Sequence, residues 1–193
     1  MDKIYLRAIE TNDYTTTFQW RNDDEISSMV GGQKYFVSLE KEKQWIERVV
    51  GDNSTIRLMV CLKEGNKPIG MVTLADVNYV NRSAHSHILI GDKSEWGKGY
   101  GTVALKQLLD YAFEEMGLHR VEAMVLESNV GSVKMHKKCG YTEEGVKRES
   151  IYKNGKYHNQ LIMSVLCDEF FSVNKTAESS DLQGINPAGG VNM

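Results

Sequence analysis

Apolar residues recur along this chain in two periods, alternate positions and every third or fourth, and their order predicts the elements. Ile4 to Ile9 carries apolar side chains at strand spacing. Asn12 or Asp13 stands where a helix cap belongs, ahead of Tyr14, Phe18 and Trp20. Ser38 opens a second helix with Trp45, Ile46 and Val49 on one face. Strands over Ile56–Leu62 and Pro68–Asp76 flank the turn Lys63-Glu64-Gly65-Asn66-Lys67. Ala84–Ile90 reads as a strand that feeds a glycine-rich loop. Beyond the loop, Ala104, Leu105, Leu108, Leu109, Ala112, Phe113 and Met116 predict a strongly amphipathic helix ending near Gly117. Arg120–Leu126 is an apolar strand and Asn129–Cys139 a short helix. Lys153-Asn154-Gly155-Lys156 is a two-residue hairpin signal between Tyr141–Tyr152 and Tyr157–Leu166.

The 193 residues suit one domain, 41% hydrophobic and 25% charged, with a core of ordinary size. We expect that domain over residues 1–168. A flexible tail follows over 169–193, rich in Ser, Gly and Asn from Asn174 onward. A net charge of -3 gives no general attraction to nucleic acid or to an anionic membrane surface, and neither is expected as a partner. No apolar run approaches the roughly 18 residues of a spanning helix. With no visible signal peptide and three unpatterned cysteines (Cys61, Cys139, Cys167), a reduced, cytoplasmic setting is expected. Cys61 and Cys167 read as small buried hydrophobes, and Cys139 does not resemble an activated nucleophile.

The chemistry concentrates in Trp96-Gly97-Lys98-Gly99-Tyr100-Gly101-Thr102. Alternate glycines strip one edge of the loop of side chains, and a helix N-terminus follows directly. Unsatisfied N–H groups and the helix dipole then converge on one anion site, suited to a phosphate or pyrophosphate. A P-loop NTPase needs Lys followed by Ser/Thr after a longer loop, which Lys98 does not supply. Gly99-Tyr100-Gly101-Thr102-Val103-Ala104 fits the dinucleotide fingerprint G-x-G-x-x-A, with Glu127 closing the next strand, but it comes midway along the chain instead of after a first strand. A glycine turn without any ligand is the remaining alternative.

The same loop resembles the pyrophosphate loop of the GNAT superfamily of acyl-CoA N-acyltransferases, (Gln/Arg)-x-x-Gly-x-(Gly/Ala), with Trp96 in the first position as in one large branch. Downstream, Asn129-x-x-Ser132-x-x-Met135-x-Lys137-Lys138-x-Gly140-Tyr141 resembles the family's N-x-x-S-x-x-L-Y-E-K-L-G-F. Ile4-Tyr5-Leu6-Arg7 and Trp20-Arg21-Asn22-Asp23 are similar to the same branch, and the resemblance covers roughly residues 3 to 167. It implies an α/β GNAT fold: a mixed, mostly antiparallel twisted sheet with splayed central strands, flanked by helices. It also implies acetyl-CoA as cosubstrate, with no metal. Pantetheine would pair with the backbone of Ile88, Leu89 and Ile90. The pyrophosphate would sit on Trp96, Gly97, Lys98, Gly99, Tyr100, Gly101 and Thr102, with Lys93 and Lys98 adding charge, and Asn129 and Ser132 would support the cofactor.

Direct acetyl transfer needs a base for the amine, a donor for the oxyanion and a proton for the departing thiolate. A backbone N–H near Leu89 or Ile90 would serve the oxyanion. Where the family carries its Tyr acid this chain has His136, a candidate acid. His85 and His87 share a strand face and are the base candidates, His85 first, since many relatives place Glu there. Metal binding by the pair lacks further ligands. Trp20, Arg21, Asn22, Arg82 and Tyr152 are the expected substrate contacts. A nucleotide diphosphate would use Arg21 and Arg82; a polyamine would use the acidic run Asp23-Asp24-Glu25. The expected function is N-acetylation of a small-molecule primary amine, an amino sugar first. The alternatives are N-terminal (ribosomal) protein or polyamine acetylation, or a non-catalytic acyl-CoA-binding GNAT protein. Relatives that pair their last strands leave a homodimer open.

Overall fold

The computed structural model describes residues 3–32 and 34–173. Seven strands form one sheet in the order β1-β2-β3-β4-β5-β7-β6. They are β1 (Ile4–Ala8), β2 (Ile56–Leu62), β3 (Pro68–Asn78), β4 (Ser83–Ile90), β5 (Arg120–Leu126), β6 (Thr142–Lys153) and β7 (Lys156–Leu166). Every neighbouring pair is antiparallel except β4 and β5, which run parallel. The helices are α1 (Tyr14–Asn22), α2 (Asp24–Met29), α3 (Leu39–Val50), α4 (Tyr100–Asp110) and α5 (Val130–Lys138). The GNAT architecture expected from the motifs is the one observed.

Both faces of the first strands are apolar, because each face meets its own helical layer. In β2, Leu58, Val60 and Leu62 turn to the α4 side, while Met59 and Cys61 turn to α1 and α3. The α4 layer buries Ala104, Leu105, Leu108 and Leu109 on Val72, Leu74, Val121 and Ala123. The opposite layer gathers Trp20, Ile46, Met59 and Cys61, with Met71, Leu89 and Trp96 against them. That second layer does not reach β5, whose Glu122 and Met124 sit outside both cores. One half of the sheet is therefore covered on two sides and the other half on one.

Three elements differ from expectation. The helix after the glycine loop does not run evenly to Gly117: it widens into a π-helical stretch, Tyr111–Glu115, before Gly117 turns left-handed at φ 62°. Helix α2 is an element the periodicity missed. Asp23 starts it by accepting from the N–H groups of Glu25 (2.9 Å) and Ile26 (3.0 Å). The packed body also passes the expected boundary at residue 168: the helical segment 167–173 buries Phe170 against Phe113, with ring centroids 5.5 Å apart. The rest of the expected tail, 174–193, lies outside the described residues.

Gly91 closes β4 under the indole of Trp20. A Cβ added at Gly91 would lie 2.1 Å from a ring carbon of Trp20, so the layers meet there with no spare volume. Gly91→Ala should therefore destabilise the fold by about 1–3 kcal/mol through overpacking. Chemical denaturation at constant m-value checks it; an unchanged midpoint would disprove this contact.

Candidate active site

Pairing between β4 and β5 covers only Ser83↔Arg120, Ala84↔Val121 and His85↔Glu122. Past that point the strands part. Backbone direction alternates along a strand, so the residues facing the gap can be identified. The Arg82 carbonyl accepts from the N–H groups of His119 (2.7 Å) and Arg120 (3.2 Å), whereas Gly91 donates to the Ile69 carbonyl of β3 (2.8 Å). Ser86, Ile88 and Ile90 thus turn their backbone toward the gap, and Leu89 turns its own toward β3. Leu89 is therefore corrected as a pantetheine or oxyanion partner: its polar groups belong to the β3 ladder. The carbonyl of Ile90 accepts the indole N–H of Trp96 at 2.7 Å. Trp96 thereby ties the glycine loop to the open edge of β4.

The loop itself is shaped for an anion. Gly97 and Gly99 adopt φ of 76° and 84°, and a Cβ at either would meet nothing within 4 Å. Helix α4 makes its first bond from the Val103 N–H to the Gly99 carbonyl, so the preceding N–H groups have no helical acceptor. Gly101 faces inward, where a Cβ would lie 2.8 Å from the sulfur of Met135. Lys98 pairs with Glu95 (2.9 Å), and Lys93 with Asp23 (2.8 Å) and Glu25 (3.1 Å). The flanking lysines are thus compensated, which leaves the backbone N–H groups as the uncompensated donors of the loop. The open first turn fits the pyrophosphate of acetyl-CoA.

At the point of divergence the two sheet faces differ in chemistry. On the α4 side, Ser86 donates its hydroxyl to the Glu122 carbonyl (3.1 Å) and meets the Tyr141 hydroxyl at 2.8 Å. Burial holds the Tyr141 phenol well above its ordinary pKa. His136 lies edge-on to Tyr141, with ring centroids 4.9 Å apart, and its Nδ1 donates to the Ser132 carbonyl at 2.8 Å. Burial pushes His136 below its ordinary pKa near 6.5, so the neutral ring has a bare Nε2 and no proton there to give. On the other face His85 stands between two carboxylates: Nδ1 is 3.2 Å from Asp76 and Nε2 is 3.4 Å from Glu122. Glu122 is also held by Arg120 Nε at 2.8 Å, and Arg120 reaches on to Glu144. His87 projects from the same face as His85 and is exposed. Sequence reasoning missed Asp76 and Glu122, since neither sits in a recognisable motif.

Several expected substrate contacts are committed elsewhere. Trp20 is core. Arg21 lies 4.4 Å over the Trp45 ring and bonds the buried Glu42 at 3.2 Å. Asn22 braces the loop by donating to the Phe18 and Val37 carbonyls and accepting from the Val37 N–H. Arg82 donates to the Gly117 carbonyl at the closed end of the strand pair. The acidic run is compensated as well, Asp23 and Glu25 by Lys93 and Asp24 by Lys34. Tyr152 is exposed on the hairpin, beside Tyr157. The buried Lys153 anchors that hairpin to α2 through the Ser27 (2.5 Å) and Val30 (2.8 Å) carbonyls, and burial lowers its pKa. Asn129 caps α5 through the Ser132 N–H (3.0 Å) and also donates to the Met29 carbonyl (2.8 Å). Cys139 is buried, which pushes its thiol up to about 12. Among the described residues no three His, Cys, Asp or Glu side chains stand together as metal ligands, and no helix is long and apolar enough to cross a membrane.

Comparison with known proteins identifies the family. A family model described as Acetyltransferase (GNAT) domain matches residues 3–142, and the chain belongs to that family. It is an acetyl-CoA-dependent N-acetyltransferase. It is similar to the spermidine N(1)-acetyltransferase of Vibrio cholerae, 29% identical over 170 residues that cover 88% of this chain and 96% of that protein. The Probable N-acetyltransferase YjcK of Bacillus subtilis is 31% identical over 173 residues, covering 84% and 93%. The crystal structure of the Vibrio cholerae spermidine N-acetyltransferase in complex with CoA and spermine superposes with a TM-score of 0.81 at 28% identity, covering 88% of this chain and 98% of that one.

Two outcomes follow for the loop and for His136. Gly99→Ala places a methyl on the open face of the anion site and should weaken acetyl-CoA binding at least about tenfold, while the left-handed backbone costs only ~1 kcal/mol of stability. Calorimetric titration beside thermal unfolding tests this, and undiminished affinity would remove the loop from the cofactor site. His136 is held neutral, so the unfolded chain takes up a proton that the folded one resists. Stability should fall as the pH drops through about 6.5. In His136→Phe that acid-side fall in Tm should be shallower; an identical slope would mean that His136 is not the group responsible.

Proposed function

We propose that this enzyme acetylates a primary amine of an aliphatic polyamine. The observation that carries the reading is the placing of Asp76 and Glu122 around His85 at the last pairing before the strands part. Anionic side chains there favour a cationic chain over an anionic acceptor. The amino-sugar branch fares less well, because Arg21 and Arg82, which a nucleotide diphosphate would use, are already engaged. The similarity to spermidine acetyltransferases points the same way.

In this reading the open turn of α4 holds the pyrophosphate, and the free edge of β4 at Ile88 and Ile90 receives the pantetheine arm. Acetyl-CoA supplies the thioester. Glu122 draws in the ammonium, and His85, flanked by Asp76, takes its proton, since only the neutral amine attacks. The N–H groups of Ile88 and Ile90 are the backbone donors available to the oxyanion. Ser86 and Tyr141 close the opposite face. Acetyl-CoA and three cysteines without a disulfide among the described residues suit a cytoplasmic setting.

A thiol-release assay with spermidine, spermine, amino sugars, nucleotide-linked amino sugars and peptide N-termini tests the reading. Polyamines should exceed every other class in kcat/KM by at least about tenfold, a preference of ~1.4 kcal/mol. Their KM should rise between about 0.05 and 0.5 M salt, as screening weakens an attraction between exposed charges. An amino sugar outrunning both polyamines would overturn the assignment.

A further inference from the structure

The region around His85 contains more than an acidic patch. Asp76 Oδ2 lies 3.2 Å from His85 Nδ1. A carboxylate only accepts, and of the two ring contacts only this one has hydrogen-bond geometry, the other being an ion-pair contact, so the ring proton is placed on Nδ1 and Nε2 keeps its lone pair. Nε2 is the nitrogen on the β5 side, 3.4 Å from Glu122 Oε2, where the two strands make their last pairing. The backbone at Asp76 is also unusual. Its φ of 52° is left-handed for a residue other than glycine, and the β3–β4 register shifts immediately after Ala75. Such a conformation is costly in mid-strand, and here it accompanies a carboxylate that meets a neighbouring ring. Glu122 is held differently: Arg120 fixes its other oxygen at 2.8 Å, so one oxygen remains for whatever approaches Nε2.

We propose that Asp76 is a positioning residue that fixes His85 in the Nδ1–H form, so that Nε2 is the atom that deprotonates the acceptor amine while Glu122 holds the incoming ammonium beside it. This rests on the reading of the site as an amine acetyltransferase with His85 as its base. The ammonium passes one proton to Nε2, and its nitrogen lone pair forms the bond to the thioester carbon. The C–S bond breaks, and the second amine proton leaves with the sulfur as CoA thiol. The imidazolium, flanked by Asp76 and Glu122, then returns its proton to water. The sequence could not display this arrangement, because its three residues come from three strands.

The test combines a spectroscopic and a kinetic measurement on the full chain. In long-range ¹H–¹⁵N NMR without any amine, neutral His85 should show the Nδ1–H tautomer in the wild type and gain Nε2–H in Asp76→Asn, whose amide can donate to Nδ1. Kinetically, Asp76→Asn should lower kcat about ten- to a hundredfold with the KM for amine and for acetyl-CoA within about twofold, and Asp76→Glu should recover part of the loss. Glu122→Gln should instead raise the amine KM more than it lowers kcat. In a His85→Gln background Asp76→Asn should cost nothing further. An Nε2–H tautomer in the wild type, or full kcat in Asp76→Asn, overturns the proposal. The NMR result does not depend on the acceptor, and the kinetics are read with whichever amine turns over. If no polyamine is acetylated while the Nδ1–H form is present, the polyamine reading fails and the dyad stands. If polyamines react and Asp76→Asn is as fast as the wild type, the opposite holds.

Discussion

Backbone amides and carbonyls inside a sheet need partners, and the parting of β4 from β5 withholds them at Ile88 and Ile90. A gap in the middle of a seven-stranded sheet persists only if both edges are held from outside. Ser86 does part of this by giving its hydroxyl to the Glu122 carbonyl, where a ladder bond would otherwise form. Trp96 does another part at Ile90, and Asn129 and Lys153 fix α2 over the far side through its last carbonyls. The remaining backbone donors are then available to a ligand that enters as an extra strand. The free backbone groups and the His85–Glu122 contact fall on one line, because the interruption in pairing exposes the first and begins just past the second.

The two ends of that line differ electrically. Near the glycine loop each lysine has its own carboxylate, so any attraction for cofactor phosphates there would come from ordered N–H groups and the α4 dipole. Near the divergence point Arg120 pairs with Glu122 and Glu144, and His85 links Glu122 to Asp76. An anionic cofactor and a cationic acceptor would thus meet in one cleft without competing for the same charges. A rigid backbone site also keeps its geometry as salt rises, whereas the carboxylate end weakens with screening.

Much of the fold was legible because it is written in local spacing. The α4 periodicity, the Asn-Gly hairpin, with φ of 53° and 79° at Asn154 and Gly155, and the paired motifs each depend on residues near one another in sequence. Helix α2 was not legible. Its six residues carry little apolar pattern, and its place is set by the distant Asn129 and Lys153. Two expected substrate contacts serve the fold for a related reason. Arg21 and Asn22 sit in a motif-like segment, yet Arg21 has a buried anion to neutralise and Asn22 has a loop to brace. Asp76 was hidden because its relevance comes from a backbone turn that no composition announces.

Position 136 shows how a family motif can keep its place and change its chemistry. A phenol in a second-motif helix carries its own proton at neutral pH, whereas the buried imidazole of His136 has given its one N–H to Ser132 and offers only a lone pair. The Tyr141 phenol is a poor substitute: burial raises its pKa, and its hydroxyl is engaged with Ser86. The departing group makes this tolerable. A thiol with an ordinary pKa of about 8.5 leaves as a stable anion far more readily than an amine or alkoxide would, so its protonation need not precede C–S cleavage. The amine is the harder partner, since it must lose a proton near neutral pH from an ordinary pKa of about 10. The chemistry therefore asks more of a base than of an acid, and the polar side chains around the point of divergence suit that demand, with His85 and two carboxylates on one face of the sheet and closed, mutually satisfied hydroxyls on the other.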